Sequence, residues 1–165
     1  MKTIVLCDSF FGNTEKVAQS IGKVLGAKMV RIADSKPGDL PGVELLIVGS
    51  PTRAFRPSPA TTEFINKLPA NALKDVKVTA FDTRIDPKDI KSSGARTVLG
   101  FFISLFGYAA KPIAKKLVGK GGKLIVEPEG FYVTDTKGPL RDGELERAKA
   151  WAEKIEVKIS KNTHA

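Results

Sequence analysis

The chain of 165 residues has one cysteine, one histidine, one tryptophan and two tyrosines. A single cysteine, Cys7, can close no internal disulfide, and its apolar neighbours Ile4, Val5 and Leu6 mark it as an inert strand residue. The single histidine, His164, stands next to the end of the sequence and reads as solvent-exposed. One such histidine leaves neither a Ser–His–Asp set nor a Cys/His cluster for a metal. Long apolar runs are missing too. The uncharged run Val98–Ala110 has 13 residues, short of the ~18 that would span a bilayer. Met1-Lys2-Thr3 leads straight into a strand-like run, without the apolar stretch of a signal peptide. These absences point to a cytoplasmic protein, and the length to one domain over 1–165.

What is present is basic charge and a 42% hydrophobic fraction, which excludes a disordered chain. The net charge of +9 is unevenly spread: residues 84–123 hold nine Lys and Arg against two Asp and Glu. Arg96, Lys111, Lys115, Lys116, Lys120 and Lys123 surround the apolar run Val98–Ala110. Apolar residues rimmed by bases suit an acidic redox partner protein, a second copy of the chain, or an anionic membrane surface. The aromatics are consecutive and are not spaced along a basic groove, so nucleic acid is not expected.

Short apolar runs alternate with helical patterns. Ile4–Cys7, Lys28–Ile32, Val43–Val48 and Val76–Phe81 read as strands. Val43–Val48 is apolar on both faces except at Glu44, as a central strand covered on both sides would be. A fifth strand starts at Lys123–Val126 and is interrupted by "EPEG" before Phe131–Val133. Helices are predicted over Thr14–Leu25, stopped by Gly26, over Ala60–Leu68, and toward the end. Asp142 is the expected cap of the last helix, which would bury Leu145, Ala148, Ala152 and Ile155, with Trp151 as core. The alternation predicts a doubly wound parallel sheet. Ligands of such sheets bind beyond the carboxyl ends of the strands, which singles out the loops 8–14, 49–59 and 82–97.

The first loop, "CDSFFGNTEK", runs from a strand into a helix. A helix amino terminus presents unpaired N–H groups and a partial positive charge. Ser9, Asn13 and Thr14 add side-chain donors, and Gly12 allows close approach of the backbone. No Gly-Lys-[Ser/Thr] and no G-x-G-x-x-G is present, so neither a nucleoside triphosphate loop nor a dinucleotide fingerprint fits. No lysine or arginine lies within 8–14. Neutral donors at a helix end suit a buried phosphate monoester. The competing reading is an ordinary helix capped by Asn13 or Thr14.

"DSFFGNTEKVA" resembles the FMN phosphate loop of flavodoxins, with Ser9, Gly12, Asn13 and Thr14 matching and Phe11 in place of a frequent threonine. "GSPTRAFRPSPA" resembles the second flavin loop of that family, "AFDTRI" the start of the third, and "GPLRDGELERAKAWAEKI" the closing helix. The resemblance spans the whole chain. It implies a flavodoxin-like α/β sandwich with five parallel strands in the order 2-1-3-4-5. It implies non-covalent FMN, with Ser9, Phe10, Phe11, Gly12, Asn13 and Thr14 at the phosphate end. Pro51, Thr52, Arg53, Ala54 and Phe55 would border the ring from one loop, and Thr83, Arg84 and Ile85 from the other. Arg53 takes the usual place of a tryptophan. Asp82 reads better as a strand-end acceptor of loop N–H groups than as a flavin contact. The function implied is electron transfer with partner proteins. An FMN-dependent reductase of a quinone or similar small molecule is the alternative, and a flavin-free binding module the second.

Overall fold

A computed structural model describes residues 1–89 and 108–163. The predicted run Val98–Ala110 lies outside them up to residue 107, as do Arg96 and His164. β1 (Thr3–Cys7), β3 (Leu45–Pro51) and β4 (Lys77–Ile85) form the centre of a parallel sheet, with β2 (Lys28–Arg31) beyond β1. The fifth position is shared. β5 (Lys123–Leu124) pairs with the start of β4, and β6 (Glu129–Val133) with its end, Phe81 lying opposite Glu129. The order is therefore 2-1-3-4-5 with a sixth strand attached to β4. Pro128, inside the interruption, has no N–H for a ladder.

Residues alternate between two cores. Ile4 and Leu6 of β1 face one side with Leu46, Val48, Val78 and Ala80, under α2 (Pro59–Lys67) and α3 (Ala110–Gly119). Val5 and Cys7 face the other with Ile47 and Phe81, under α1 (Asn13–Leu25) and α4 (Glu144–Thr163). In the second core Phe81, Phe131 and Trp151 meet edge to face, with centroids 6.1 to 6.3 Å apart. Gly49 makes room for this cluster: a Cβ there would stand 2.1 Å from the Phe81 ring. Trp151 is thus core, as expected. Cys7 is fully buried, and burial pushes its thiol up to about 12. Among the described residues no helix is long and apolar enough to cross a membrane.

Several boundaries differ from the sequence reading. β4 continues past Phe81 to Ile85, because Asp82, Thr83 and Arg84 pair with β6 although they are polar. β3 begins at Leu45 and runs on to Pro51. Neither Asn13 nor Thr14 caps α1: both are inside the helix, and Gly12, at φ 83°, is the cap. Asp142 likewise lies short of α4. Gly143, at φ 84°, precedes the helix and its carbonyl accepts the Arg147 N–H. Leu145 is half-buried, whereas Glu144 is buried.

Glu144 has a definite task. Its carboxylate accepts the Tyr132 N–H of β6 at 2.7 Å and the Arg147 guanidinium. Arg147 also donates to the Gly130 carbonyl, and the Tyr132 carbonyl accepts the Arg141 N–H.

Candidate functional site

The carboxyl ends of β1, β3 and β4 bring the three predicted loops together around one cleft of about 230 Å³. Ser9, Phe10, Phe11, Asn13 and Thr14 line it from the first loop. Pro51, Thr52, Arg53 and Ala54 line it from the second, and Thr83, Arg84 and Ile85 from β4. Gly12 is not in the lining, and shapes the loop through its left-handed backbone instead. Phe55 is not in the lining either. It borders a separate concavity of about 1100 Å³ between the second loop, α2 and α3. Val133, the last residue of β6, and Thr136, just past it, line the cleft from a fourth segment that the sequence reading did not include. The rule that ligands sit at strand carboxyl ends would have included them, had the interrupted fifth strand been followed to its end.

The first loop is tied to the others by side chains. The hydroxyls of Thr14 and Thr83 are 2.8 Å apart, and both residues are buried. Asn13 donates through Nδ2 to the Lys137 carbonyl at 3.0 Å, so its amide fastens the fourth segment. Gly138 lies flat on that amide, where a Cβ would come within 2.4 Å. The Ser9 hydroxyl is different: it is buried and has no hydrogen-bond partner among the described residues. A buried hydroxyl without a partner costs about 1–3 kcal/mol, so its position is consistent with a polar group bound in the cleft.

The second loop contains a tight turn. The N–H of Arg53 donates to the Arg56 carbonyl and that of Arg56 to the Arg53 carbonyl, at 3.0 and 2.9 Å. Ala54 and Phe55, between them, have φ of 44° and 64°. Such a turn is at home with Asn-Gly. Two side-chain-bearing residues in the left-handed region store backbone strain at the cleft mouth. The turn aims Arg53 across the first loop, its guanidinium 5.2 Å from the Phe10 ring centroid and 5.3 Å from that of Phe11. Both rings are about half exposed.

Asp82 sits behind the cleft, fully buried. Its carboxylate accepts two bonds from Arg84, at 2.5 and 2.7 Å, and the Ala110 N–H at 2.7 Å. The Thr52 hydroxyl also bonds it, and itself accepts the Ala109 N–H at 3.2 Å. Burial pushes the carboxyl up, and these donors pull against it. Asp82, within β4 and not at its end, therefore accepts a backbone N–H, but from the first residue of α3 instead of from a loop at the strand end, and in addition binds Arg84. Among the described residues no cluster of three or more His, Cys, Asp or Glu is placed to hold a metal.

No family model and no curated protein matches this sequence. Solved structures do. Oxidised flavodoxin 2 from Bacillus cereus superposes with a TM-score of 0.72 at 18% identity, over 96% of this chain and 99% of that one. A flavodoxin from the domain Archaea gives 0.69 at 20%, over 97% and 99%. A WrbA-like flavodoxin from Agrobacterium tumefaciens gives 0.66 at 17%, over 96% and 98%. A sandwich of this strand order, with a cleft at its switch point, is a doubly wound α/β fold. More narrowly, the chain has the flavodoxin-like fold.

Proposed function

We propose that the chain binds FMN non-covalently in the cleft and carries electrons to and from partner proteins. The observation that carries this reading is the buried Ser9 hydroxyl, without a partner among the described residues, in the loop between β1 and α1, within a cleft lined from all three predicted loops. The residues fit the group. The first turn of α1 offers N–H groups without intrahelical acceptors, and Ser9 and Thr14 supply hydroxyls for a phosphate. Thr52, Arg53, Thr83 and Arg84 stand where the ring end would lie. Bound flavin supplies one- and two-electron chemistry, and the protein supplies position and electrostatics. The cleft is smaller than the ~300–1,000 Å³ of a site that encloses its ligand, which suits a carrier whose ring edge stays accessible.

The larger concavity beyond Ala54, lined by Phe55, Pro57 and Pro112, favours a second reading. In it the flavin reduces a quinone or similar small molecule seated there. For the carrier, the proposed partner is an acidic protein, approached through the basic residues of 84–123.

The test is a visible spectrum and a fluorescence titration of the purified protein. FMN is expected to bind at least about tenfold more tightly than riboflavin, which lacks the phosphate and its charge-assisted bonds. Equal affinities would overturn the phosphate assignment, and no flavin binding would leave the binding-module reading. Flavin-dependent oxidation of a nicotinamide with a quinone as acceptor would favour the second reading.

A further inference from the structure

Arg84, in the cleft wall, is fixed on several sides by an ion pair, an aromatic ring and close backbone. Its guanidinium lies 3.8 Å from the Tyr108 ring centroid. On another side is Gly130, where a Cβ would stand 2.1 Å from the guanidinium carbon, so only glycine leaves this place open. Asp82 grips it with two hydrogen bonds. The two partners are not equivalent toward the cleft. The Asp82 side chain is 0% exposed and does not line it, while Arg84 does. The pair is thus an oriented dipole, positive end toward the cleft. Asp82 is itself held by the Ala110 N–H and the Thr52 hydroxyl, so the orientation is built in before anything binds.

We propose that Asp82 and Arg84 act together as a positioning pair that makes the cleft prefer the more negatively charged, reduced state of a bound flavin over the oxidised one. Arg84 faces the bound group, and Asp82 acts through Arg84. This inference rests on the FMN-binding reading. Its physical basis is that a fixed charge acts in a partly dry cleft without paying to reorganise. An arginine free to swing into water would be screened. The ion pair could not serve as a simple stabilising device as economically, since a buried pair roughly breaks even against apolar side chains of the same size.

The experiment measures the two-electron midpoint potential of bound FMN, by dithionite titration, together with its dissociation constant. Wild type is compared with Asp82→Asn, Arg84→Gln and Arg84→Lys. Asp82→Asn leaves the positive end uncompensated. The reduced flavin should then be favoured about tenfold more, a rise of ~30 mV for a two-electron couple. Arg84→Gln should move the potential the opposite way by a similar amount, and Arg84→Lys should retain most of the wild-type value. A merely structural pair would weaken FMN binding in both charge-removing variants without splitting their potentials by sign. Should Asp82→Asn fail to fold, Arg84→Gln against Arg84→Lys decides alone, and equal potentials there overturn the inference. FMN bound with unmoved potentials overturns it while leaving the proposed function intact. A wild type that binds no FMN overturns both.

Discussion

The hydroxyls of Thr14 and Thr83 meet at 2.8 Å although 69 positions separate them in the chain. One belongs to the first turn of α1 and the other to the carboxyl-terminal part of β4, so this contact fastens the first loop and its helix to the central sheet beside the cleft. Thr14→Ala leaves the Thr83 hydroxyl buried with one partner fewer. We expect a loss of ~1–2 kcal/mol in stability, read by urea denaturation. FMN affinity should drop by roughly tenfold or more, since a hydrogen bond to a charged oxygen goes as well. Thr14→Ser keeps the hydroxyl and should recover most of both. If Thr14→Ser is as impaired as Thr14→Ala, the hydroxyl is not what matters.

The turn Arg53–Arg56 makes a prediction of the opposite sign. Ala54 has φ 44°, where an L-residue with a Cβ is disfavoured by ~1–2 kcal/mol. Asparagine tolerates that region better. Ala54→Asn should raise the melting temperature by a few degrees, corresponding to up to ~1 kcal/mol. An unchanged or lowered melting temperature would show that the strain is absorbed elsewhere.

Cys7 links burial to pH. Its folded thiol is raised to about 12 from an ordinary value of 9.0, chiefly by desolvation. Between those two values the unfolded chain has lost a proton that the folded chain keeps. Stability therefore falls as pH rises through that window, by up to ~1.4 kcal/mol per pH unit from this group, and is unaffected by it below. Cys7→Ala should be less stable at neutral pH through its cavity, yet show a shallower decline above pH 9. In the native wild type a thiol-reactive dye should not label Cys7 at pH 8. Parallel declines for the two proteins would mean that the thiolate is tolerated in the core.

The proposed partner contact is electrostatic, so it should respond to salt. Association with an acidic redox protein should slow as ionic strength rises, since screening shortens to ~8 Å at physiological salt. Lys115→Glu with Lys116→Glu, on the exposed side of α3, should lower the association rate more than Lys158→Glu with Lys161→Glu on α4. Equal losses from the two pairs would assign the effect to net charge and not to a patch.

The sequence was most informative where burial is two-sided. Leu45–Val48 and Ile4–Cys7 are apolar without alternation, and both are central strands. The order of the sheet and the three loops of the cleft were legible from the family resemblance and from strand–helix alternation together. Asp82–Arg84 was not legible as strand, because polar residues at the carboxyl end of a parallel strand look like loop until their partners in β6 are known. The cap of α1 was misread for a related reason. Asn13 and Thr14 are both good capping types, but their side chains are committed to Lys137 and Thr83 across the cleft, and no local pattern records that. Phe55, expected at the ring from the family resemblance, borders the larger concavity instead of the cleft, at a turn with two left-handed residues that no local sequence pattern shows.

The Glu144–Arg147 clasp on β6 has a bearing on how the molecule can meet others. β6 is an outer strand beside β4, and its outward backbone would invite another chain to add as a further strand. Tyr132 spends its N–H on Glu144 and its carbonyl on the Arg141 N–H, and the Gly130 carbonyl is taken by Arg147. Val133 is bridged by Leu140. At the opposite border β2 has only four residues and ends in exposed Lys28 and Arg31. Short, charged or sealed borders are how sheets resist edge-to-edge growth. Among the described residues, backbone pairing with a further chain is therefore opposed along β6 by its bonded groups and at β2 by shortness and charge.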